Sequence, residues 1–433
     1  NTALFALKDL PQVADYISFD DTEKFRKLRN ILSDEISARK KKFARHNVTT
    51  LEMYNASGSE IMPAIVVVID NYDVIKEIDY DLENYFTQLT RDGVGVGIYT
   101  LVTATRANAM KYAVLNNFGA RICNFMSDSS EIVSLIGRSE YKLSDVKGRA
   151  LVSKDNVYLM QEFLPADISD AVNYRNRINE MVAAISASHT ERAKAIPMLP
   201  EKLEFYDLLQ RKENNQGIAL GLDSEDVSVK YIPDASPFLI VGATGTGKTN
   251  MLRVIYNQVK SDNVFLVDSR SEDFYDVAGE LCDKYLSKES EIDEFMDSLG
   301  ALIEEREKLY ENSGKTMKSK DFYAKLEPAY LLIDDVTRLS QMKGIDIAQN
   351  VSIFEAAIMT GINIVATIDG RQGYTTNSIL KVIKNTVDGI ILGNPQSQQV
   401  FTVSGGKLKT AADLGFIYSG GSMNSVKIPL IEN

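Results

Sequence analysis

The residues best suited to chemistry stand in one run, Gly242-Ala243-Thr244-Gly245-Thr246-Gly247-Lys248-Thr249, which fits the pattern G-x-x-x-x-G-K-[ST]. Four apolar residues, Phe238-Leu239-Ile240-Val241, precede it and read as a buried strand, and Met251-Leu252-Arg253-Val254-Ile255 continue it as a helix. A strand passing through a glycine-rich turn into a helix is the context that makes this pattern a phosphate site. Glycines let the backbone curl so that successive N–H groups face an anion, and the helix adds the positive end of its dipole. In that geometry Lys248 reaches the β- and γ-phosphates of ATP, and the Thr249 hydroxyl ligates Mg²⁺. The expected nucleotide-binding set is Gly242, Ala243, Thr244, Gly245, Thr246, Gly247, Lys248, Thr249 and Asn250. The bland alternative, a glycine-rich turn matching by chance, is disfavoured by the flanking strand and helix.

Two acidic strand ends supply the other candidates. Tyr330-Leu331-Leu332-Ile333-Asp334-Asp335 and Ala64-Ile65-Val66-Val67-Val68-Ile69-Asp70-Asn71 each run apolar into a carboxylate. An unbroken β-branched run reads as a parallel strand buried on both faces, and its carboxyl end is where an α/β nucleotide fold holds Mg²⁺. For the Asp70 segment taken alone, a buried strand closed by a turn Asp is the plainer alternative. Asp334 is expected, with Thr249, in the metal shell. Asp335 takes the catalytic position, where a carboxylate orients the attacking water. Aspartate is one methylene shorter than the glutamate common there, and a misplacement of about 1 Å can cost about 10²-fold. Asn71, at the matching position of the earlier strand, cannot act as a base. The residues therefore support binding in the later half more strongly than hydrolysis in either half.

Positioning these groups requires a sizeable α/β scaffold. The chain has 433 residues, 44% hydrophobic and 25% charged, enough for two or three globular domains. The formal charge of -12 argues against a general nucleic-acid binder. The basic run Arg39-Lys40-Lys41-Lys42 reads as a solvated helix face. Two cysteines, Cys123 and Cys282, and two histidines, His46 and His189, rule out a disulfide framework or a zinc cluster. No apolar run reaches the roughly 18 residues of a membrane span. Asn1 in place of methionine reads as the start of a fragment.

Apolar residues at helical spacing, Phe25, Leu28, Leu32 and Ile36, predict a helix from Asp21 to about His46. Further strands are expected at Gly97 to Arg106, Ala120 to Phe125 and Arg149 to Val152, alternating with helices and so forming one parallel sheet covered on both faces. No phosphate loop precedes Asp70, so residues 1–165 read as a nucleotide domain lacking its opening strand and loop. Residues 166–216 read as a connector. Its helix is marked by Ile168, Ala171, Ile178, Val182 and Ile185, and Ile196-Pro197-Met198-Leu199-Pro200 ends it. Residues 217–433 read as a complete domain, with strands at Asn263 to Asp268, Gly361 to Thr367 and Gly389 to Leu392 and an amphipathic helix from Glu291 to Asn312. The order of elements from Tyr330 onward repeats that from Ala64 onward, an internal duplication at the domain scale.

These residues resemble the FtsK/SpoIIIE-type ATPases, P-loop ring motors. The resemblance covers nearly the whole chain. It rests on Gly242 to Thr249, on the strands ending at Asp70 and Asp334, and on a strand that opens Gly-Ile and closes Ala-Thr, at Gly97 to Thr105 and again at Gly361 to Thr367. Within the family the tandem arrangement, the proline-bearing segment Ala195 to Pro200 and the domain opening Ala219-Leu220-Gly221-Leu222-Asp223 look most like the EssC/EccC branch, the membrane-anchored ATPases of type VII secretion. The resemblance implies an α/β fold of tandem P-loop NTPase domains, RecA-like, with a mostly parallel sheet and helices on both faces. It implies ATP and Mg²⁺, export of small helical-hairpin proteins at the cytoplasmic face of the membrane, and contact with sibling ATPase domains and other secretion components. It also implies homo-oligomers, hexameric in the family. The chain departs from the DNA-translocating members, which carry Asp-Glu after the acidic strand and Ala-Thr-Gln-Arg-Pro at the sensing strand. Here those read Asp70-Asn71 and Asp334-Asp335, and Ala104-Thr105-Arg106-Ala107-Asn108 and Ala366-Thr367-Ile368-Asp369-Gly370. The departures predict weak or absent hydrolysis and count, with the acidic charge, against DNA as partner. Arg121 and Arg138 are candidates to serve a neighbouring site in trans, with ordinary surface salt bridges as the plainer reading. A non-hydrolysing docking module, binding substrate helices in a groove, is the alternative role.

Overall fold

The computed structural model describes residues 4–58, 60–74, 80–167, 170–213, 216–233, 236–372, 377–403, 408 and 410–431. The chain divides into two compact units, Asn1–Ile196 and Pro197–Asn433. The stretch 166–216 is divided between them. The helix Ala171–Ala187 belongs to the first and the helix Phe205–Arg211 to the second. Ile168, assigned above to the connector stripe, lies outside the described residues.

In the first unit the long helix Thr22–Arg45 starts at Asp21, whose carboxylate accepts the backbone N–H of Lys24 at 3.0 Å, a side-chain N-cap. Its buried stripe is Leu32, Ile36, Arg39 and Phe43, so the basic run is not wholly solvated: Arg39 is turned inward. Strands β1 (Ile65–Ile69) and β2 (Ile98–Val102) pair in parallel, while β3 (Arg121–Asn124), β4 (Arg149–Ser153) and β5 (Val157–Gln161) form a separate antiparallel sheet. The single parallel sheet expected from the alternation of strands and helices is therefore replaced by two sheets. Only residues 154–156 separate β4 from β5, too few for the crossover that parallel pairing requires. Nor is β1 buried on both faces. Val66 and Val68 are 59% and 48% exposed, and Leu101 beside them is 57% exposed. Apolar composition specified the strand but not what would cover its second face.

The second unit is built on a ten-stranded sheet of β6 (Ala219–Asp223), β7 (Val229–Tyr231), β8 (Phe238–Gly242), β9 (Asn263–Val267), β10 (Tyr285–Leu286), β11 (Ala329–Ile333), β12 (Asn363–Asp369), β13 (Asp388–Leu392), β14 (Leu414–Ser419) and β15 (Ser422–Lys427). Their spatial order is β10-β9-β11-β12-β8-β13-β14-β15-β6-β7. The run from β10 to β13 is parallel and the rest antiparallel. The β14–β15 hairpin turns on Gly420 and Gly421, both at positive φ, as a two-residue turn with the right twist requires. Each central strand feeds two cores. Leu239 and Val241 pack under the helices Ile292–Asn312 and Ala348–Met359. Phe238 and Ile240 pack under the helix Lys248–Val259. β8 leaves toward β9 on one side while β13 lies on its other side, so the carboxyl end of β8 is a topological switch point, where open α/β sheets bind ligands.

Candidate nucleotide site

The loop after β8 is shaped by its glycines. Gly245 and Gly247 sit at φ of +80° and +89°, a region that side-chain-bearing residues rarely adopt, and a Cβ on Gly242 would lie 2.3 Å from the Thr246 hydroxyl. Gly247 caps the Lys248–Val259 helix with no side chain of its own, so the first N–H groups of that helix are left to the loop interior. Thr246 closes the turn by donating its hydroxyl to the Ala243 carbonyl at 2.8 Å. Lys248 folds back over the loop, its Nζ donating to the carbonyls of Gly242 at 3.1 Å and Ala243 at 2.9 Å. Desolvation lowers its pKa, an effect that the nearby carboxylates of Asp369, Asp334 and Asp335 oppose.

Opposite the loop, Asp334 follows β11 and is buried, 3% exposed. The hydroxyls of Thr249 and Thr367 donate to its two oxygens at 3.1 and 2.9 Å. Burial pushes its carboxyl above the ordinary range despite those two bonds. Asp335 is at φ 64°, the left-handed region that Asp and Asn tolerate. Its backbone N–H donates to Thr367 Oγ1 at 2.7 Å, and its carboxylate accepts from the Thr337 N–H at 3.1 Å, capping the helix Val336–Gln341. The side chain proposed for water activation is thus engaged on its own helix. The structure brings Lys248, Thr249 and Asp334 together. Asn250 turns elsewhere: its amide holds the Pro429 carbonyl at 2.9 Å and the Ile431 N–H at 3.2 Å, tying the last segment to the loop helix.

The first unit repeats this geometry without the loop. Thr103 donates to Asp70 at 2.6 Å and accepts the Asn71 N–H at 2.9 Å, and Asn71 is at φ 66°. The match corrects the sequence alignment of the sensing strands. β1 pairs Ile69 with Val102, and β11 pairs Ile333 with Ala366, so the counterpart of Thr367 is Thr103 and not Thr105. The repeated Ala-Thr dipeptide was two residues out of register. Thr105 instead bonds Asp73 through both its N–H and its hydroxyl. A buried arginine also recurs. Arg306 donates to the carbonyls of Thr360 at 2.9 Å and Glu327 at 3.0 Å, and Arg39 to those of Val96 at 3.0 Å and Pro63 at 2.9 Å. The spacing is identical in the two sets: Pro63, Asp70, Val96, Gly97 and Thr103 stand to one another as Glu327, Asp334, Thr360, Gly361 and Thr367 do. By sequence Arg39 reads only as part of a solvated basic run and Arg306 belongs to no motif, although each falls on the apolar stripe of its helix, which is the available signal.

Two more carboxylates were missed. Asp268, buried after β9, accepts from Tyr285 Oη at 2.7 Å and from the N–H groups of Phe274 and Ser269, and fixes the loop beside Asp334. Asp369, the last residue of β12, forms an ion pair with Arg371 that lowers its pKa to about 2. The sensor position itself is Ile368, buried in the core on the far face. Of the proposed trans arginines, Arg121 donates to the Leu135 and Leu115 carbonyls at 3.0 and 3.1 Å, an internal role, and Arg138 lines a surface cleft. Among the described residues no cluster of three or more His, Cys, Asp or Glu side chains could hold a metal unaided, and no helix is long and apolar enough to cross a membrane.

No family model matches the chain. It is 30% identical over 448 residues, 99% of its length, to the ESX secretion system protein YukB of Bacillus subtilis (strain 168), of which it covers 30%. Among solved structures it is similar to EssC (ATPases 2 and 3) from Geobacillus thermodenitrificans, with a TM-score of 0.88 at 26% identity, covering all of this chain and 84% of that one. Thermomonospora curvata EccC (ATPases 2 and 3) in complex with a signal sequence peptide shares the fold, with a TM-score of 0.53 at 18% identity over all of this chain and 81% of that one. Fold and site together define a tandem P-loop NTPase of the FtsK/SpoIIIE type. Within that class the chain is similar to the EssC/EccC proteins of type VII secretion, and it spans about 30% of the length of the curated relatives it matches.

Proposed function

We propose that residues 217–433 bind ATP with Mg²⁺ as part of a type VII secretion motor, driving or regulating export of small helical proteins at the cytoplasmic face of the membrane. The observation that carries this reading is the meeting of Thr249 and Asp334, 3.1 Å apart, beside a glycine-shaped loop that points a lysine and a helix N-terminus inward. These oxygen donors fit a hard cation, and the loop fits a polyphosphate. When bound, Mg²⁺ neutralises charge on the β- and γ-phosphates. The chain's own residues do the rest. Lys248 leaves two carbonyls for phosphate oxygens, Thr249 and Asp334 orient the metal, and Thr367 holds the Asp334 carboxylate in place.

Hydrolysis is slow in this reading, because Asp335 is committed to its helix cap and the first unit has Asn71 there. Residues 1–165 then act as a degenerate nucleotide domain and 166–216 as the connector to it. The signal sequence peptide bound to the Thermomonospora EccC supports a substrate-capturing role alongside nucleotide binding, with sibling ATPase domains, other secretion components and further copies of the chain as partners. The acidic net charge disfavours DNA as cargo. The test is calorimetry with a non-hydrolysable ATP analogue and Mg²⁺. Lys248→Ala is expected to abolish binding, and unchanged affinity in that variant would refute the site.

A further inference from the structure

Asp369 closes β12 and pairs in register with Gly242, the first residue of the phosphate loop. Successive side chains of a strand alternate between faces. Val365 lies in the core under the Lys248–Val259 helix, whereas Ile364, Ala366 and Ile368 lie in the opposite core. Asp369 therefore shares the face of Val365 and Thr367, the face that carries the loop helix. The turn after it is fixed from two sides. The Gly370 N–H donates to the Gly242 carbonyl at 3.3 Å, and its carbonyl accepts from the Gln399 N–H at 2.7 Å. A Cβ at Gly370 would meet Gln398 Cβ at 2.8 Å, so only glycine fits. This anchoring stations Arg371 one residue from the mouth of the phosphate loop.

The guanidinium of Arg371 is held along one edge only. Nε donates to Asp369 Oδ1 and Nη2 to Oδ2, both at 3.0 Å, and the Arg371 N–H adds a bond to Oδ1 at 2.9 Å. Among the described residues no other partner engages the fork, and the side chain is 77% exposed. A guanidinium has five donors in a rigid plane and can grip a carboxylate with one edge while offering the other to a phosphate. The Asp369 carboxylate also bears on Lys248 more strongly than any other charged group does.

Resting on the nucleotide-binding reading above, we infer that Arg371 is a cis-acting ligand for the terminal phosphate of a bound triphosphate, and that Asp369 is the positioning residue that aims its free Nη1 edge at the loop.

The experiment is calorimetry on the whole chain with Mg²⁺ and either a non-hydrolysable ATP analogue or ADP. The set is Arg371→Ala, Arg371→Lys, Asp369→Ala, the double variant and Lys248→Ala. Arg371 is exposed, so its replacement leaves the fold intact. Arg371→Ala is expected to weaken the triphosphate about tenfold or more and the diphosphate less than threefold, and Arg371→Lys, lacking the fork, to recover little. Asp369→Ala is expected to cost a smaller factor for the triphosphate, with no further loss in the double variant. Equal effects of Arg371→Ala on the two nucleotides would overturn the proposal. So would tighter triphosphate binding in Asp369→Ala, which would make that carboxylate a mere repulsive charge. Loss of all binding in Lys248→Ala alongside either result would leave the nucleotide site standing. Absence of binding in the unmodified chain would end both readings.

Discussion

Asp334→Asn is expected to stabilise the nucleotide-free protein and to remove its response to nucleotide. Asp334 is 3% exposed, and burial holds its carboxyl above the ordinary range. Between the ordinary carboxyl value and the raised folded one, the folded chain retains a proton that the unfolded chain has released, and above both the buried carboxyl is charged. Stability contributed by this group falls as pH rises from the ordinary carboxyl value, about 3.9, to the folded one, and stays at the lower level beyond it. Asparagine keeps the shape. Its amide can accept from one of Thr249 and Thr367 and donate to the other once that hydroxyl rotates. What disappears is the buried charge. Each tenfold difference in acidity between folded and unfolded chain is worth about 1.4 kcal/mol. Each 1 kcal/mol so gained corresponds to roughly 2–4 °C in the melting of a unit of this size. With Mg²⁺ and an ATP analogue at about a hundredfold excess over Kd, the wild type gains about 2.7 kcal/mol, and the variant, without the metal carboxylate, gains little. The order of stability should invert on adding nucleotide, and chelating Mg²⁺ should restore the original order. Differential scanning calorimetry reads both arms. The advantage of the variant should also shrink as pH falls toward the ordinary carboxyl range. A variant that is less stable without nucleotide, or equally protected with it, would refute the reasoning.

Other outcomes follow from the same geometry. Asp335→Ala loses a helix cap and places a Cβ-bearing residue without a local acceptor at positive φ, costing about 1–2 kcal/mol. Asp335→Gly should recover most of that in denaturant titration, and neither change should alter the slow turnover proposed above more than about threefold; a hundredfold loss would make Asp335 catalytic after all. Arg306→Met leaves the Thr360 and Glu327 carbonyls without their donor and should cost about 2–4 kcal/mol in the second unit. Arg39→Met should do the same in the first unit. Losses under about 0.5 kcal/mol, measured by urea unfolding, would show the two arginines to be dispensable.

The sequence alone determined whatever is encoded by near neighbours. Glycines at fixed offsets before Lys248 and Thr249 can only make a phosphate loop when strand and helix flank them. Apolar runs ending at Asp70 and Asp334 set two strands, and the order of elements disclosed the duplication. Tertiary structure decided whatever depends on register and on cover. Parallel pairing, not the repeated Ala-Thr dipeptide, makes Thr103 the counterpart of Thr367. A short β4–β5 connection separates the first unit's strands into two sheets, and exposed Val66 and Val68 show that a β-branched run states what a strand buries, not whether its other face is covered. Arg39 sits in a basic run yet is buried, because helical phase and not local charge selects the side that faces the core. Asp335 and Asn250 carry the right groups at the right spacing. Their side chains are nevertheless drawn to Thr337 and to the Pro429–Ile431 backbone, since a hydrogen-bonding group goes to the unpaired partner that folding brings within reach.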